Sequence, residues 1–265
     1  MSYDQGTASP STPRVILLGA SNLARGISTV VGTAQAMLGS PLEFFIAMGH
    51  GRSYGRASRV LGRTLPGIDE CELWDALGDA VATPTYALIT DIGNDIVYGY
   101  DVEMIAAWIE QCLKRLQALG AHTIITRLPV ESIESLSTLR YRVAKAILFP
   151  GRRLSLDEAK QRIGRLDTTI GDLAPQYGAT LVDLPGEWYG MDPVHIKRSQ
   201  YSTAFTQIMA GWAAGDKAST RATGSVGRWL KLHLAWPQRW SLLGIPLGSA
   251  QPVARLADGS TVAVF

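Results

Sequence analysis

Val15-Ile16-Leu17-Leu18-Gly19-Ala20-Ser21-Asn22-Leu23 runs from four consecutive aliphatic side chains into a turn of small residues and on into a new apolar periodicity. Four such side chains in a row suit a strand buried on both faces, because neither face alternates to polar. The turn then delivers a serine to the start of a helix, where the first N–H groups lack intrahelical acceptors. A hydroxyl held there would sit over donors able to stabilise a developing oxyanion.

The same grammar repeats outward. Residues 43–48, 86–90, 122–128 and 179–184 read as four further buried strands. Between them lie amphipathic stretches: Ile105, Ile109, Cys112, Leu116 and Leu119 recur at helical spacing before Gly120, and Ile163, Leu166, Ile170 and Leu173 do so before Gly178. Strands alternating with helices predict parallel pairing, since parallel neighbours need long crossovers, which are nearly always right-handed. The expected fold is α/β, a three-layer α/β/α domain with a five-stranded parallel sheet over residues 15–215. A flexible segment, 1–14, would precede it, and 216–265 would follow as an appendage. Ligands of such sheets bind beyond the carboxyl ends of the strands. Ser21, residues 49–51, residues 91–95 and the loop after Leu184 all fall there.

Composition narrows the function. The 265 residues are 46% apolar, enough for one sizeable core, and 25 basic against 23 acidic side chains leave a net charge of +2. No strong field favours polyanions, so nucleic acid is not an expected partner. Cys71 and Cys112 read as buried free thiols, and His50, His122, His195 and His233 form no close ligand cluster, so no metal site is expected. The polar N-terminus has no signal-peptide pattern and no apolar run is long enough to span a bilayer, which gives a cytoplasmic expectation.

Three loops supply the chemistry. In Asp192-Pro193-Val194-His195 a carboxylate three residues before an imidazole can fix its tautomer and stabilise the imidazolium formed when it takes a serine proton. Gly93-Asn94-Asp95 follows the third strand, so the Asn94 amide is a candidate donor to an oxyanion. In Met48-Gly49-His50-Gly51-Arg52 either glycine can bring a backbone N–H close, Gly51 being the first choice and Gly49 its competitor.

These four spaced blocks resemble the SGNH hydrolases, the GDSL-type esterases and lipases, over most of residues 15–212. The resemblance implies a flavodoxin-like α/β fold, with Ser21 as nucleophile, Gly51 and Asn94 as oxyanion-hole donors, Asp192 and His195 completing the triad, a small-molecule ester as substrate and no cofactor. The first block has Ala20 where the family carries an aspartate before the nucleophile. The third reads Ile92-Gly93-Asn94-Asp95 against the usual Gly-x-Asn-Asp.

Each residue also has a plainer role: Ser21 as a helix-start residue, Asn94 as a turn former, Asp95 as a brace, Asp192 and His195 as a satisfied turn. What favours hydrolysis is that the required types occur in order at one edge of the sheet. A binding protein on the same fold is the alternative, with Ala20 its best support. A short-chain dehydrogenase, suggested by Tyr141 and Lys145, is opposed by Leu23 and Arg25, which stand where a dinucleotide turn needs bare backbone. Arg52, Arg56 and His50 lie near enough in sequence to favour an anionic substrate group.

The last fifty residues break the α/β repeat. Trp229, Trp236 and Trp240 stand among Arg228, Lys231, Arg239 and several leucines, a mixture that suits either a membrane interface or packing. Packing on the domain or a homo-oligomer contact is the expectation, with membrane contact second, because Pro237 interrupts any long amphipathic helix. Asp258-Gly259 between residues 253–257 and 260–264 predicts a hairpin.

Overall fold

The computed structural model describes residues 11–79, 83–135 and 155–265. Most of the expected flexible segment and the Tyr141/Lys145 pair lie outside the described residues. In chain order the elements are β1 (Arg14–Leu18), α1 (Ser21–Leu38), β2 (Glu43–Ala47), β3 (Ser58–Val60), β4 (Arg63–Leu65), α2 (Leu73–Leu77), β5 (Thr85–Ile89), α3 (Asn94–Tyr98), α4 (Val102–Ala118), β6 (His122–Thr126), α5 (Val130–Glu134), α6 (Leu156–Gln176), β7 (Thr180–Val182), α7 (Tyr201–Met209), α8 (Val226–His233), β8 (Arg239–Leu242), β9 (Ile245–Gly248), β10 (Ala254–Arg255) and β11 (Thr261–Val264).

The main sheet has the order β10-β11-β2-β1-β5-β6-β7, and every pairing in it is parallel except β10 with β11. Successive side chains of β1 point to opposite faces. Val15 and Leu17 join Leu23, Ile27 and Phe205 in one apolar cluster, while Ile16 and Leu18 join Ile105, Ile109, Leu166 and Ile170 in the other. The sheet is thus the middle of three layers, with α1 and α7 on one side and α4 and α6 on the other. Each fully buried aliphatic side chain contributes on the order of 1.5–3 kcal/mol to holding the layers together. At Gly26 an added Cβ would lie 2.3 Å from the Phe205 ring, so the close approach of α7 to α1 depends on a bare backbone there.

Seven strands replace the five expected. The hairpin around Asp258-Gly259 forms, and β11 adds in parallel to β2, with Thr261 level with Glu43 and Val264 level with Ile46. Strand adjacency of this kind is set by tertiary packing, and no local pattern announces it. The rest of the C-terminal segment also packs against the domain. Arg228 reaches from α8 to Ser28 Oγ (3.2 Å) and Gln35 Oε1 (3.0 Å) on α1. β8 pairs with β4 to build a second, antiparallel sheet, β3-β4-β8-β9. No helix among the described residues is long and apolar enough to cross a membrane.

The register places the functional loops together. Leu18 is level with Ala47 on one side and Ile89 on the other, so β1, β2 and β5 end side by side. Buried Tyr54 crosses these ends, donating its hydroxyl to the Thr90 carbonyl at 2.6 Å and lying 3.1 Å from that of Leu18.

Candidate active site

Ser21 is the first residue of α1, separated from the end of β1 by Gly19 and Ala20. Its Oγ lies 2.9 Å from Nε2 of His195, and Nδ1 of the same ring lies 2.5 Å from Oδ2 of Asp192. His195 is 7% exposed. With the carboxylate on Nδ1, the proton-bearing nitrogen faces Asp192 and Nε2 is left to accept from the serine hydroxyl. Burial alone would raise the Asp192 pKa, but the hydrogen bond and charge of His195, the Val194 N–H and Arg25 together hold its carboxyl below the ordinary value. Asp192 therefore stays ionised at neutral pH. Arg25 approaches it to 4.0 Å.

Ala20 offers no side-chain cap to α1. Asp91, just past β5, does so from across the sheet. Its Oδ2 accepts from the backbone N–H groups of Ala20 (2.9 Å), Asn22 (2.9 Å) and Leu23 (3.1 Å), and its Oδ1 from Asn22 Nδ2 (2.7 Å). A carboxylate at a helix N-terminus is favoured both by these orphan donors and by the helix dipole. Asp91 adopts a φ of 63°, a conformation that aspartate tolerates better than most side chains. Asn22 carries the link onward: its Nδ2 also donates to the Val194 carbonyl (2.9 Å), and its Oδ1 accepts from Ile196 N–H (2.8 Å). The Ser21 turn and the residues flanking His195 are thereby joined through one buried amide. Sequence reasoning missed both roles. The signal for Asp91 was an acid at a strand end, and Asn22 had none beyond adjacency to Ser21.

The remaining predicted residues are held as a neighbouring unit. Asn94 opens α3, and its Nδ2 lies 3.4 Å from the Arg52 carbonyl, a long contact. Gly51 has φ of 63° and its carbonyl accepts from the Tyr98 hydroxyl. An added Cβ would lie 2.7 Å from Val60 Cγ2 and 2.8 Å from that hydroxyl, so this position requires glycine. Gly49 carries no positive φ; its carbonyl accepts from Arg52 N–H at 3.1 Å. Asp95 is wholly buried, accepts from Tyr54 N–H at 2.9 Å, and has its pKa raised to about 6 by desolvation, which the hydrogen bonds of Ser53 and Tyr54 only partly offset.

Two of the three expected substrate-facing cations are elsewhere. Arg52 is 0% exposed and donates to the Pro66 carbonyl (3.1 Å) and the Phe265 carbonyl, fastening the end of the β11 segment. The arrival of β11 beside β2 supplies one of these acceptors, the Phe265 carbonyl. Arg56 is exposed and pairs with Glu70 at 3.3 Å. His50 does line a cavity of about 850 Å³, with Arg25, Tyr201, Arg198, Trp229 and His233. A smaller cavity of about 220 Å³ contains Asp192 and His195 and shares Arg25, Arg198 and Tyr201 with the first. Among the described residues no group of three His, Cys, Asp or Glu side chains is placed to hold a metal ion.

No protein-family model and no curated protein matches this chain. Solved structures do. The psychrotrophic esterase EstA from Pseudoalteromonas sp. is similar at 14% identity with a TM-score of 0.45, over 72% of this chain and 92% of that one. A carbohydrate acetylesterase family member from Sinorhizobium meliloti is similar at 15% identity and 0.49, over 75% and 95%. The M. smegmatis aryl esterase is similar at 12% identity and 0.49, over 73% and 94%.

Proposed function

We propose that this protein is an ester hydrolase of the SGNH type, with Ser21 as nucleophile, His195 as general base and Asp192 as its orienting carboxylate. One observation carries the reading: the continuous chain from Asp192 Oδ2 to His195 Nδ1 (2.5 Å) and from His195 Nε2 to Ser21 Oγ (2.9 Å), in the geometry that activating a hydroxyl requires. Ala20 gave the binding-protein alternative its best support. Asp91 weakens that argument, since it supplies a carboxylate to the same turn from another strand.

The chemistry follows from the geometry. His195 takes the Ser21 proton as Oγ attacks the ester carbonyl, and the carbonyl electrons move onto oxygen. The Ser21 and Gly51 backbone N–H groups and the Asn94 amide are the proposed donors to that oxyanion. The N–H groups of Ala20, Asn22 and Leu23 are already committed to Asp91, which leaves that of Ser21 as the donor of this turn to face the substrate. Collapse expels the alcohol, which leaves with the proton from His195. Water deprotonated by the same imidazole then attacks the acyl-enzyme, and the acid and the free serine are released.

Fluorophosphonate labelling followed by peptide mass spectrometry tests the assignment. Stoichiometric adduct on Ser21, lost in His195→Ala, is the expected result. A folded protein that forms no adduct, with the reagent active on a reference hydrolase, refutes it.

A further inference from the structure

The larger cavity has a one-sided charge. Arg25, Arg198, His50 and His233 line it, and no Asp or Glu among the described residues does. Arg25 is partly offset by Asp192 at 4.0 Å, whereas Arg198 makes no ion pair among the described residues and is exposed at the edge shared by both cavities. Partial desolvation first, and then the charge of Arg25, holds the His50 pKa below its ordinary value, so the charge of the cavity at neutral pH comes from the two arginines. α8 adds aromatic surface to the lining: Trp229 and His233 stack with ring centroids 4.6 Å apart and planes 14° from parallel. Most of the other lining groups are hydroxyls and backbone, including Thr29, Ser199 and Thr223.

A cavity of this size takes a ligand arm of drug-like dimensions. The arm that fits must bring negative charge to the arginine rim and can lay a planar group against Trp229. Since Arg25, Arg198 and Tyr201 line both cavities, the large one adjoins the small one that holds Asp192 and His195. We propose that the substrate is an ester with an anionic group, a carboxylate or phosphate, on the arm that enters this cavity. The ligand class rests on the hydrolase reading for its ester bond and on the cavity alone for its charge. It differs from the expectation drawn from sequence in the groups responsible, which are Arg198 and Arg25 rather than Arg52 and Arg56.

Binding to full-length Ser21→Ala protein by titration calorimetry separates charge recognition from turnover. The probes are two matched pairs: 4-acetoxybenzoate against its methyl ester, with the charge on the alcohol arm, and mono-4-nitrophenyl glutarate against its methyl ester, with the charge on the acyl arm. In at least one pair the charged member binds about tenfold tighter, and the preference shrinks severalfold in 0.5 M salt. Arg198→Gln, an exposed substitution outside the proposed triad, reduces it to threefold or less. Equal binding within both pairs overturns the proposal, as does a preference that survives Arg198→Gln unchanged. The hydrolase reading is judged separately by labelling of Ser21 in the wild type. Charge preference without labelling rejects the hydrolase and leaves the anion site standing.

Discussion

Replacing Asp91 by Asn exchanges one carboxylate oxygen for an NH2 group and tests how the Ser21 turn is organised. The carboxylate accepts four hydrogen bonds of 2.7–3.1 Å, three from backbone N–H groups on one oxygen and one from Asn22 Nδ2 on the other. In the variant the amide oxygen can keep the three backbone donors only by turning its NH2 toward Asn22 Nδ2, setting donor against donor. Asn22 cannot flip to relieve this, because its own amide is fixed by the Val194 carbonyl and Ile196 N–H. Losing one charge-assisted bond costs about 1.5–3 kcal/mol, and removing a negative charge from the helix start about 0.3–1 kcal/mol more. A loss of about 2–4 kcal/mol in urea unfolding is expected. Because strain at Asn22 is passed to both residues flanking His195, kcat should fall at least tenfold with KM little changed, the pattern of lost positioning rather than lost binding. Fluorophosphonate labelling should slow in proportion. A double-mutant cycle with Asn22→Ala should give coupling of about 1–2 kcal/mol, since both substitutions break the same contact. Stability within 0.5 kcal/mol of wild type together with an unchanged labelling rate would refute the account.

Asn94→Ala should lower kcat by about 10²–10³ with the fold intact, equivalent to about 2.7–4 kcal/mol of transition-state stabilisation; a fall of less than tenfold removes Asn94 from the oxyanion hole. Gly51→Ala should cost roughly 1–3 kcal/mol in denaturant unfolding, from φ of 63° and the Val60 and Tyr98 contacts, and a neutral result refutes the tight placement of this loop. Asp95, raised from 3.8 to about 6 by burial, gives the folded protein more bound protons than the unfolded chain between those values. Its contribution is complete below about pH 4 and is lost as pH rises through about 6, so stability falls across that window by on the order of 2–3 kcal/mol. Asp95→Asn should flatten that dependence, and an unaltered stability-pH curve contradicts it.

The parts of this molecule that were legible in its sequence are those encoded by local period and residue type. Alternation of aliphatic runs with helical stripes fixes β1, β2, β5, β6 and β7 to within a residue or two, because a strand buried on both faces has few other ways to be written. Ser21, Asp192 and His195 were readable as candidates because their types and order constrain one another. Asp91 and Asn22 were not, although they make more hydrogen bonds than any of the three. Asp91 lies 69 residues from Asn22 along the chain, and only parallel pairing of β1 with β5 makes them neighbours. Arg52 misled for a related reason. An arginine beside a candidate loop reads as exposed, yet this one is enclosed by carbonyl acceptors that are distant in sequence, Pro66 and, after β11, Phe265.

The C-terminal segment also uses its aromatic residues in packing. Trp240 is 8% exposed, with the Arg63 guanidinium 5.7 Å from its ring centroid and Trp236 stacked 4.6 Å away, so these rings bind the second sheet to the turn before it. Upstream, α8 is clamped to α1 by Arg228, which leaves Trp229 and His233 to face the cavity. Downstream, β11 extends the edge beyond β2, the strand that leads into Gly49 and Gly51. One segment therefore pairs with the strand that leads into the glycine loop and also lines the cavity. Ser21, His195 and Asp192 come from the α/β repeat. The shape and charge of the cavity beside them come in part from residues outside it, so a substrate preference can change in this segment while the hydrogen-bonded chain from Asp192 to Ser21 stays as it is.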